Sequence, residues 1–253
     1  METDTLHQKA NYGLDAPQAI RNFFLISVSL ISAGIICHFT IPTKSSQILN
    51  IINQILTYTF IISGIFIFYP VISLPLGSLI FKFHARDWLL DSIQWNNMNK
   101  ILDVGCGSGL LLIGAAKRVP SLGKVYGIDI WDVNDQSGNK IQRTLKNIEI
   151  ENVQTRVEIK TADMRQIPYS DNCFDLILSS WAIHNLKRKQ DRLDALKEIV
   201  RVCKPNGQIA LMDIKKYKEY KQFFIENGLI DIQMVGPKFT FGNPTYIVKA
   251  TKV

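Results

Sequence analysis

Residues 101–109 read ILDVGCGSG, and this stretch decides the fold. A short apolar run leads into three glycines, Gly105, Gly107 and Gly109, and an apolar helical pattern begins directly after them. Glycine lets the backbone adopt unusual dihedral angles and approach a ligand closely. The stretch therefore predicts a buried strand, a tight ligand-binding loop and a helix.

Asp129 ends the next apolar strand along the chain. A carboxylate in this position can accept hydrogen bonds from both hydroxyls of a ribose, so the loop and Asp129 together indicate a nucleoside-containing cofactor. A dinucleotide site needs the spacing G-x-G-x-x-G, whereas this loop has G-x-G-x-G and no hydride-transfer residues are evident. A nicotinamide oxidoreductase is therefore disfavoured.

Strand and helix patterns alternate from residue 86 to the end of the chain. The predicted strands are 100–104, 124–129, 156–160, 174–179, 208–214, 230–235 and 245–250. The predicted helices are 86–95, 110–119, 139–150, 191–203 and 217–227, with Pro205 and Gly207 closing the fourth and with Ile141, Leu145 and Ile148 on one face of the third. Such alternation predicts an α/β fold with a doubly wound, mostly parallel seven-stranded sheet.

The last two predicted strands are joined by a short loop that contains Gly236, Pro237, Gly242 and Pro244. This loop is too short for a helical crossover, so we expect the last strand to be antiparallel. An open sheet of this kind binds its ligand at the carboxyl ends of its strands, where the strand order reverses.

The first third of the chain has a different composition. Residues 45–81 contain no charged residue, and residues 23–41, FFLISVSLISAGIICHFTI, are long enough to cross a bilayer. The second apolar run starts near residue 51 and includes ILTYTFIISGIFIFY, followed by Pro70, Pro75 and Gly77. Its first part can span, and we expect its proline-rich end to kink or to lie at the interface. The predicted domains are a cytosolic tail (1–22), a transmembrane helical hairpin (23–85) and a catalytic domain (86–253).

The basic residues near these runs predict the orientation of the hairpin. Lys9 and Arg21 precede the first run, Lys44 lies between the two, and Lys82 and Arg86 follow the second. By the positive-inside rule, both ends of the hairpin face the cytosol. The protein is thus expected in a membrane as a multi-pass protein, with its catalytic domain in the cytosol.

The apolar runs have two other interpretations, a cleaved signal peptide and a buried helical hairpin. A cleaved signal peptide is disfavoured because the leading tail mixes acids with bases and no A-x-A-like cleavage site follows. A soluble, buried helical hairpin stays open, because polar residues dilute the apolar pattern. These residues are Ser27, Ser29, Ser32, Asn50, Asn53 and Gln54.

From residue 86 onward, the chain resembles class I S-adenosylmethionine-dependent methyltransferases. The resemblance is to the small-molecule type that includes the ubiquinone and menaquinone biosynthesis methyltransferases. Four blocks match in order: LDVGCGSG, VYGIDIW, TADMRQIPYSDNCFDLILSSWAIHNL and LKEIVRVCKPNGQIALMDI. This resemblance implies a Rossmann-like methyltransferase fold, S-adenosyl-L-methionine as cofactor and a small-molecule methyl acceptor.

The resemblance also implies roles for individual residues. Gly105, Gly107 and Gly109 contact the methionine part of the cofactor, Asp129 holds the ribose, Ile130 packs against the adenine, Asp163 caps the adenine amino group with Met164 alongside, and Ser179 and Ser180 border the methionine amine. Asp103 supports the glycine loop or reaches the methionine amine, and Cys106 is a small filler in that loop. Structural roles stay open for Asp163, as a turn residue, and for Asp103, as a strand-end hydrogen bonder.

The sequence indicates the binding residues for the methyl acceptor less specifically. Trp181, His184 and Asn185 follow the fourth strand, where the acceptor normally enters. His184 can remove a proton from the acceptor, or it can shape the loop. The polar loop with Trp131, Asp135, Gln136 and Ser137 can line the pocket, or Ser137 can cap the next helix.

The sequence departs from the quinone methyltransferases in the 131–137 loop, in WAIHNL and in its membrane segment, so their acceptors do not carry over. In this family the segment before the first strand often covers the acceptor, and here that segment is the hairpin and its exit at 70–81. We therefore expect an apolar or amphipathic acceptor, a small molecule or a lipid, to enter from the bilayer surface.

Composition narrows the remaining choices. The net charge is +7, but no basic run is interleaved with aromatics, so nucleic acid is not an expected partner. The four cysteines have no metal-ligand or redox spacing, and no metal is expected. A non-catalytic, membrane-tethered regulator that retains the cofactor site stays open as the alternative function.

Overall fold

Two long helices precede an α/β sheet domain in the computed structural model, which describes residues 9–40, 46–120, 122–132, 138–240 and 243–253. The long helices are α1, Pro17–Thr40, and α2, Gln47–Leu76. They pack antiparallel, because Gly34 of α1 lies against Thr57 and Ile61 of α2, while Gly64 of α2 lies against Ser27 and Ile31 of α1. The Ser27 hydroxyl donates to the Gly64 carbonyl at 2.7 Å.

Both helices are long enough and apolar enough to cross a membrane. In the most apolar 18-residue window of each, 11% is buried inside the protein. Large apolar side chains such as Phe39 and Phe66, each 80% exposed, point outward. A core helix of a water-soluble protein would bury such a face, so the hairpin presents an apolar surface that the described residues do not cover.

Helix α2 passes through Pro70 and Pro75 without ending. It continues as a π-helical turn, Gly77–Phe81, and then as α3, Lys82–Asp91. The chain thus stays helical through both prolines, since neighbouring packing can hold a helix through the loss of one N–H donor. The kink or interfacial position expected for this end stays a prediction. The predicted boundary at 85/86 falls inside α3, in a continuous helix of 45 residues.

The sheet has seven strands in the order β3-β2-β1-β4-β5-β7-β6. The strands are β1 Lys100–Val104, β2 Lys124–Asp129, β3 Val157–Thr161, β4 Phe174–Ser180, β5 Cys203–Asp213, β6 Ile230–Thr240 and β7 Asn243–Thr251. The helices between them are α4 Leu110–Ala116, α5 Ile141–Ile150, α6 Lys189–Val202 and α7 Tyr217–Glu226. β7 runs antiparallel to both of its neighbours, and the other pairs are parallel. The predicted fold, with its antiparallel last strand, is confirmed.

The two faces of the sheet are covered by different helices. On one face, Leu89 and Leu90 of α3 and Leu112 of α4 are fully buried, and on the other Leu196 of α6 and Phe224 of α7 are. The strand order reverses between β1 and β4, whose pairing includes Asp103 with Leu178. This reversal places the ligand-binding crevice at the carboxyl ends of β1 and β4.

Three local predictions need correction. Pro205 and Gly207 lie inside β5 and do not close a loop before it, because β5 already pairs with β4 at Cys203. Gly236 and Pro237 lie inside β6, where the pairing with β7 is irregular, and Pro244 lies in β7; Gly242 is outside the described residues.

The third correction concerns α5. Its buried face carries Thr144, Asn147 and Ile148, whereas Leu145 is half exposed. Two polar side chains thus take positions that the apolar pattern assigned to the solvent, and their partners lie in the glycine loop.

Candidate active site

A cavity of about 250 Å³ opens at the carboxyl ends of the central strands. The lining from the sheet domain comprises Asp103, Gly105, Cys106, Gly107, Ser108, Leu110, Leu111, Asp129, Asn139, Ser180, Trp181, Ala182, His184, Asn185 and Ile214. The lining from the N-terminal third comprises Asp15, Ala16, Leu74, Lys82 and Arg86. Residues far apart in sequence therefore meet at the crevice where the fold predicts a ligand.

The glycine loop crosses over β2 at this crevice. The N–H groups of Gly105 and Cys106 both donate to the Ile128 carbonyl, at 2.9 and 3.1 Å. Gly105 has φ +75°, and a Cβ there would lie 2.3 Å from the Cβ of Ala182. A side chain is thus excluded at Gly105 both by backbone conformation and by the loop that follows β4.

Helix α5 holds the other side of this loop. The Thr144 hydroxyl donates to the Gly107 carbonyl at 2.7 Å, and the Asn147 amide donates to the Ser108 carbonyl at 2.8 Å. These bonds satisfy carbonyls that the loop turns away from the cavity, and they leave the cavity side free for a ligand. The signal in the sequence was a pair of polar residues within the amphipathic pattern of α5.

Cys106 lines the cavity, but its thiol is not activated. It is buried, and burial raises its pKa well above the ordinary value of a thiol. The side chain therefore stays protonated, which fits the expected role of a small filler.

Asp129 is tied into the loop by both of its carboxylate oxygens. Oδ2 accepts from the Gly107 N–H at 2.8 Å, and Oδ1 accepts from the Trp131 N–H at 2.6 Å and from the Asn139 amide at 3.4 Å. Burial raises the pKa of this carboxyl. A carboxylate has about four lone-pair sites, and these bonds use two on Oδ1 and one on Oδ2, so Oδ2 can still receive a ribose hydroxyl.

Asp103 is the most unusual group of the cavity wall. Its side chain is 1% exposed, and among the described residues neither oxygen makes a hydrogen bond. Burial, with the nearby charge of Asp129, raises its pKa to about 8. A buried carboxyl without partners is costly unless a ligand pairs with it, and an ammonium group is the matching chemistry.

Several residues that were predicted to bind the cofactor lie outside the lining of the cavity. Gly109, with φ +86°, starts α4, and Ile130 is 57% exposed next to Asp129. Met164 packs against Gly105. Asp163 receives hydrogen bonds from Arg165, which lower the pKa of its carboxyl. Ser179 is buried and donates to the Val104 carbonyl at 2.7 Å, whereas Ser180 lines the cavity.

The predicted acceptor residues come together on the opposite wall. Trp181 has φ +52°, and its N–H donates to the Met212 carbonyl at 2.9 Å. His184 lies in a 3-10 turn, Ile183–Asn185, and its Nδ1 is 2.6 Å from Oδ1 of Asp213, although the ring N–H does not point straight at this oxygen. Asp213 was not predicted. It ends β5, so its contact with His184 depends on strand order.

The contribution of the N-terminal third was only partly expected. Leu74 lies in the segment predicted to cover the pocket, but Asp15, Ala16, Lys82 and Arg86 were not predicted as lining. The Lys82 ammonium is held by the carbonyls of Tyr12 (2.9 Å) and Gly13 (2.6 Å), and it lies 3.6 Å from Asp15. Asp135, Gln136 and Ser137, which belong to the loop after β2, lie outside the described residues.

Over the described parts of the chain, no group of three His, Cys, Asp or Glu residues is placed to hold a metal ion. The site comprises a glycine loop, the buried carboxyl of Asp103, the half-buried carboxyl of Asp129 and a histidine beside a third carboxylate. Its lining also includes residues at the ends of the two long helices.

Part of the sheet domain is similar to known proteins. Residues 102–211 match the family model described as a methyltransferase domain. The chain is 26% identical over 155 residues to a 2-phytyl-1,4-naphtoquinone methyltransferase of Trichormus variabilis, covering 58% of this chain and 64% of the relative. It is 32% identical over 112 residues to a demethylmenaquinone methyltransferase of Lactobacillus johnsonii, covering 44% of this chain and 42% of the relative.

These alignments cover less than two thirds of either relative's length. Among solved structures, a SAM-dependent methyltransferase from Aquifex aeolicus has the same fold, with a TM-score of 0.52 and 24% identity over 66% of this chain and 89% of that chain. The glycine loop lies within the residues that the family model matches.

Proposed function

We propose that the chain carries a class I S-adenosylmethionine-dependent methyltransferase domain and that the whole protein methylates a small apolar or amphipathic acceptor at a membrane surface. One observation carries the proposal. The cavity that contains the glycine loop is also lined by Ala16, directly before α1, and by Leu74, in the last turns of α2. The ends of both apolar helices thus form part of the wall of the methyl-transfer site.

The donor half of the cavity fits S-adenosyl-L-methionine, which when bound supplies an electrophilic methyl group on a sulfonium sulfur. Asp129 receives the ribose hydroxyls, and Asp103 pairs with the ammonium group. Gly105, Gly107 and Gly109 let the methionine part lie against the backbone. Asp103 carries the fit because its buried carboxyl has no partner among the described residues.

The donor also has a carboxylate, which needs a cation. Lys82 and Arg86 are the basic residues in the described lining. Lys82 is already held by two backbone carbonyls, whereas among the described residues Arg86 donates through Nε and Nη2 to the neighbouring Asp87, at 3.0 and 2.9 Å, and lies over the Phe83 ring. We assign the carboxylate to Arg86, so that helix α3 completes the donor site.

The adenine end is assigned by resemblance. Ile130 and Met164 lie beside the base, and Asp163 receives its amino group. Since Asp163 now accepts from Arg165, donor binding requires this carboxylate to share its lone pairs or to turn. Ser179, whose hydroxyl is bonded to Val104, positions the strand end, and Ser180 faces the donor.

The acceptor half is built for orientation. Trp181 supplies an apolar wall, and His184 accepts the proton of the acceptor. Holding two reactants in line contributes about 7–11 kcal/mol to lowering the barrier, and a positioned base adds roughly 10²–10⁴-fold.

The membrane part of the proposal rests on the outward apolar face of the hairpin. Arg21 lies in the first turns of α1 and Lys82 begins α3, at the same end of the hairpin, while Lys44 lies outside the described residues. This distribution favours both ends in the cytosol. The sheet domain, residues 86–253 in the predicted division, then lies in the cytosol at the bilayer surface.

The relatives' names suggest the first acceptor to test. Both are named for naphthoquinone-type compounds, and a ring with an apolar tail suits a cavity that reaches the ends of two apolar helices. We propose a reduced quinone or another ring compound with an apolar tail as the acceptor class.

Methyl transfer by the full chain in lipid nanodiscs tests the proposal. Radiolabelled S-adenosylmethionine is supplied with a membrane lipid extract, with a tailed reduced naphthoquinone or with a pool of water-soluble metabolites. We expect label in the apolar fractions, and none with Asp129→Ala. Label confined to water-soluble products, or no transfer at all, would contradict the proposal.

Protease protection tests the topology. With sealed vesicles whose cytosolic face is inside, added trypsin should leave the sheet domain intact, and detergent should expose it. Cleavage of the domain without detergent would place it on the other side of the membrane.

A further inference from the structure

Asp213 lies outside the cavity lining, and its carboxylate takes no part in the proposed S-adenosylmethionine site. It ends β5 and is 1% exposed. Its Oδ1 accepts from the Ile214 N–H at 2.7 Å, and its Oδ2 accepts from the Tyr220 hydroxyl of α7 at 2.9 Å. With Nδ1 of His184 2.6 Å from Oδ1, the carboxylate connects the cavity wall to a phenol behind it.

The loop that carries His184 is held from behind as well. Arg192 of α6 is 3% exposed, and its Nη1 donates to the carbonyls of Leu186 (2.7 Å) and Lys187 (3.0 Å). Its Nε and Nη2 donate to Glu219 of α7 at 2.8 and 3.1 Å. Helices α6 and α7 thus fix the loop and the carboxylate relative to each other.

This arrangement gives the imidazole a defined direction. A carboxylate beside Nδ1 favours the tautomer with the proton on Nδ1, which leaves Nε2 as a hydrogen-bond acceptor. The same carboxylate stabilises the ring after Nε2 has taken up a proton. Burial, with the charge of Asp213, raises the pKa of Tyr220, so its hydroxyl remains a donor that holds Asp213 in place.

We propose that Asp213, held by Tyr220, is a positioning residue that makes His184 a base, and that the acceptor carries an acidic hydroxyl on a conjugated ring. This inference rests on the proposed methyl transfer. The O–H bond of the acceptor breaks and its proton moves to Nε2 of His184. The released electron pair forms the bond to the methyl carbon, and the carbon–sulfur bond breaks with its pair remaining on sulfur.

The acceptor class follows from the chemistry of the step. An amine already offers a lone pair, and it loses its proton easily after transfer, whereas a ring hydroxyl becomes a strong nucleophile only when its proton leaves. A base with a dedicated buried carboxylate therefore suits a phenol or enol better than an amine.

The first test needs no acceptor. Full-length protein with ¹⁵N-labelled histidine, in detergent and with S-adenosylhomocysteine bound, is compared with Asp213→Asn and Tyr220→Phe. The ¹⁵N shifts of His184, assigned with His184→Gln, distinguish the two neutral tautomers. We expect the Nδ1–H form in the native chain and its partial loss in Asp213→Asn. An Nε2–H form in the native protein would overturn the inference.

The second test uses the rates of methyl transfer to a reduced naphthoquinone and to the lipid extract. His184→Gln should lower kcat roughly 10²–10⁴-fold, Asp213→Asn on the order of 10–10²-fold, and Tyr220→Phe about fivefold, the loss of one hydrogen bond. KM and the affinity for S-adenosylhomocysteine should stay within about twofold.

The double variant His184→Gln/Asp213→Asn separates positioning from folding. If Asp213 acts through His184, the double variant should be no slower than His184→Gln alone. A multiplied loss would mean that Asp213 is only structural. If Asp213→Asn does not fold, Tyr220→Phe provides the comparison, because it removes only the hydroxyl oxygen that donates to Asp213. An absence of transfer by the native chain would refute the proposed function, while the tautomer test would still decide this inference.

Discussion

Small residues form the contact between the two long helices, whereas large apolar residues form the core of the sheet domain. Ser27, Gly34 and Gly64 lie between α1 and α2, and the large side chains of the hairpin point outward. In the sheet domain, Leu112 and Phe224 are fully buried. Close approach through small residues is how helices associate in hydrocarbon, where burying large side chains gives no advantage, and large buried side chains stabilise a fold in water. One chain thus follows two sets of packing rules, and the two regions should respond to substitution independently.

The largest expected effect is on donor binding, and it should leave the hairpin unchanged. Asp129→Ala removes the carboxylate that receives the ribose, so the affinity for S-adenosylhomocysteine should fall by about 2–4 kcal/mol, the contribution of charge-assisted hydrogen bonds. Calorimetry on the full chain in detergent measures this. Sedimentation with liposomes is the control, and it should not change. Unaltered affinity in a folded Asp129→Ala variant would remove the basis of the donor site.

A pH-dependent effect should follow from Asp103 in the same region. Because its pKa is raised to about 8 in the empty site, the carboxyl must lose its proton before it can pair with an ammonium group. The affinity for S-adenosylhomocysteine should therefore rise with pH from 6 to 8, by up to about tenfold per pH unit. Asp103→Asn should bind more weakly and with a flatter pH dependence. Equal slopes in the two proteins would mean that Asp103 does not bind the amine.

The hairpin should show the reverse pattern. In Gly64→Leu, the new Cβ would lie 2.6 Å from Ile31 Cγ1 and 3.0 Å from the Ser27 carbonyl, so the helices must separate, at a cost of about 1–3 kcal/mol. SDS titration, followed by energy transfer between dyes on α1 and α2, measures this cost. Ile62→Leu, at a position that is 65% exposed, is the matched control and should have no effect. Donor affinity that fell as strongly as hairpin stability would show that the two regions are not independent.

The smallest expected effect lies where the regions meet. The Tyr12 hydroxyl donates to Glu151 at 3.0 Å, and the backbone N–H and carbonyl of Asn11 bond to the Asn147 side chain, each at 2.8 Å. Tyr12→Phe should lower the stability of the sheet domain by about 0.5–1.5 kcal/mol, measured by thermal unfolding. No change in Tm together with unchanged donor affinity would show that this hydrogen bond contributes nothing.

The sequence predicted those elements whose signals are local. β1 and β2 were predicted with the bounds that the structure has, because continuous apolar runs end in the glycine loop and in Asp129. The antiparallel last strand followed from the length of one connection. Several cavity-lining residues were predicted from the same motifs and from the family resemblance. They are Asp103, Gly105, Cys106, Gly107, Asp129, Ser180, Trp181 and His184.

The rest depends on contacts between distant parts of the chain. Pro205 and Gly207 lie in a strand because β5 already pairs with β4 at Cys203 and because Asn206 and Gly207 exchange backbone hydrogen bonds with Lys252, and no local pattern shows this. Thr144 and Asn147 are buried because loop carbonyls need their donors. Asp15, Ala16 and Arg86 reach the cavity because α1 and α2 return to the same end, which becomes visible once the helices are packed.

The continuous helix from Gln47 to Asp91 sets the distance along its axis between the apolar hairpin and the cavity. An α-helix rises about 1.5 Å per residue, so a hydrocarbon layer of about 30 Å that begins at Gln47 ends near Phe66. Leu74 then stands about 12 Å further along the axis, just beyond the headgroup layer, and the first change in helical pitch comes after it, at Gly77–Phe81. In the proposed membrane orientation, the distance from the hydrocarbon layer to the cavity is thus set by the number of helical residues between them. We therefore expect an acceptor whose tail remains in the bilayer to carry its reactive ring at that distance.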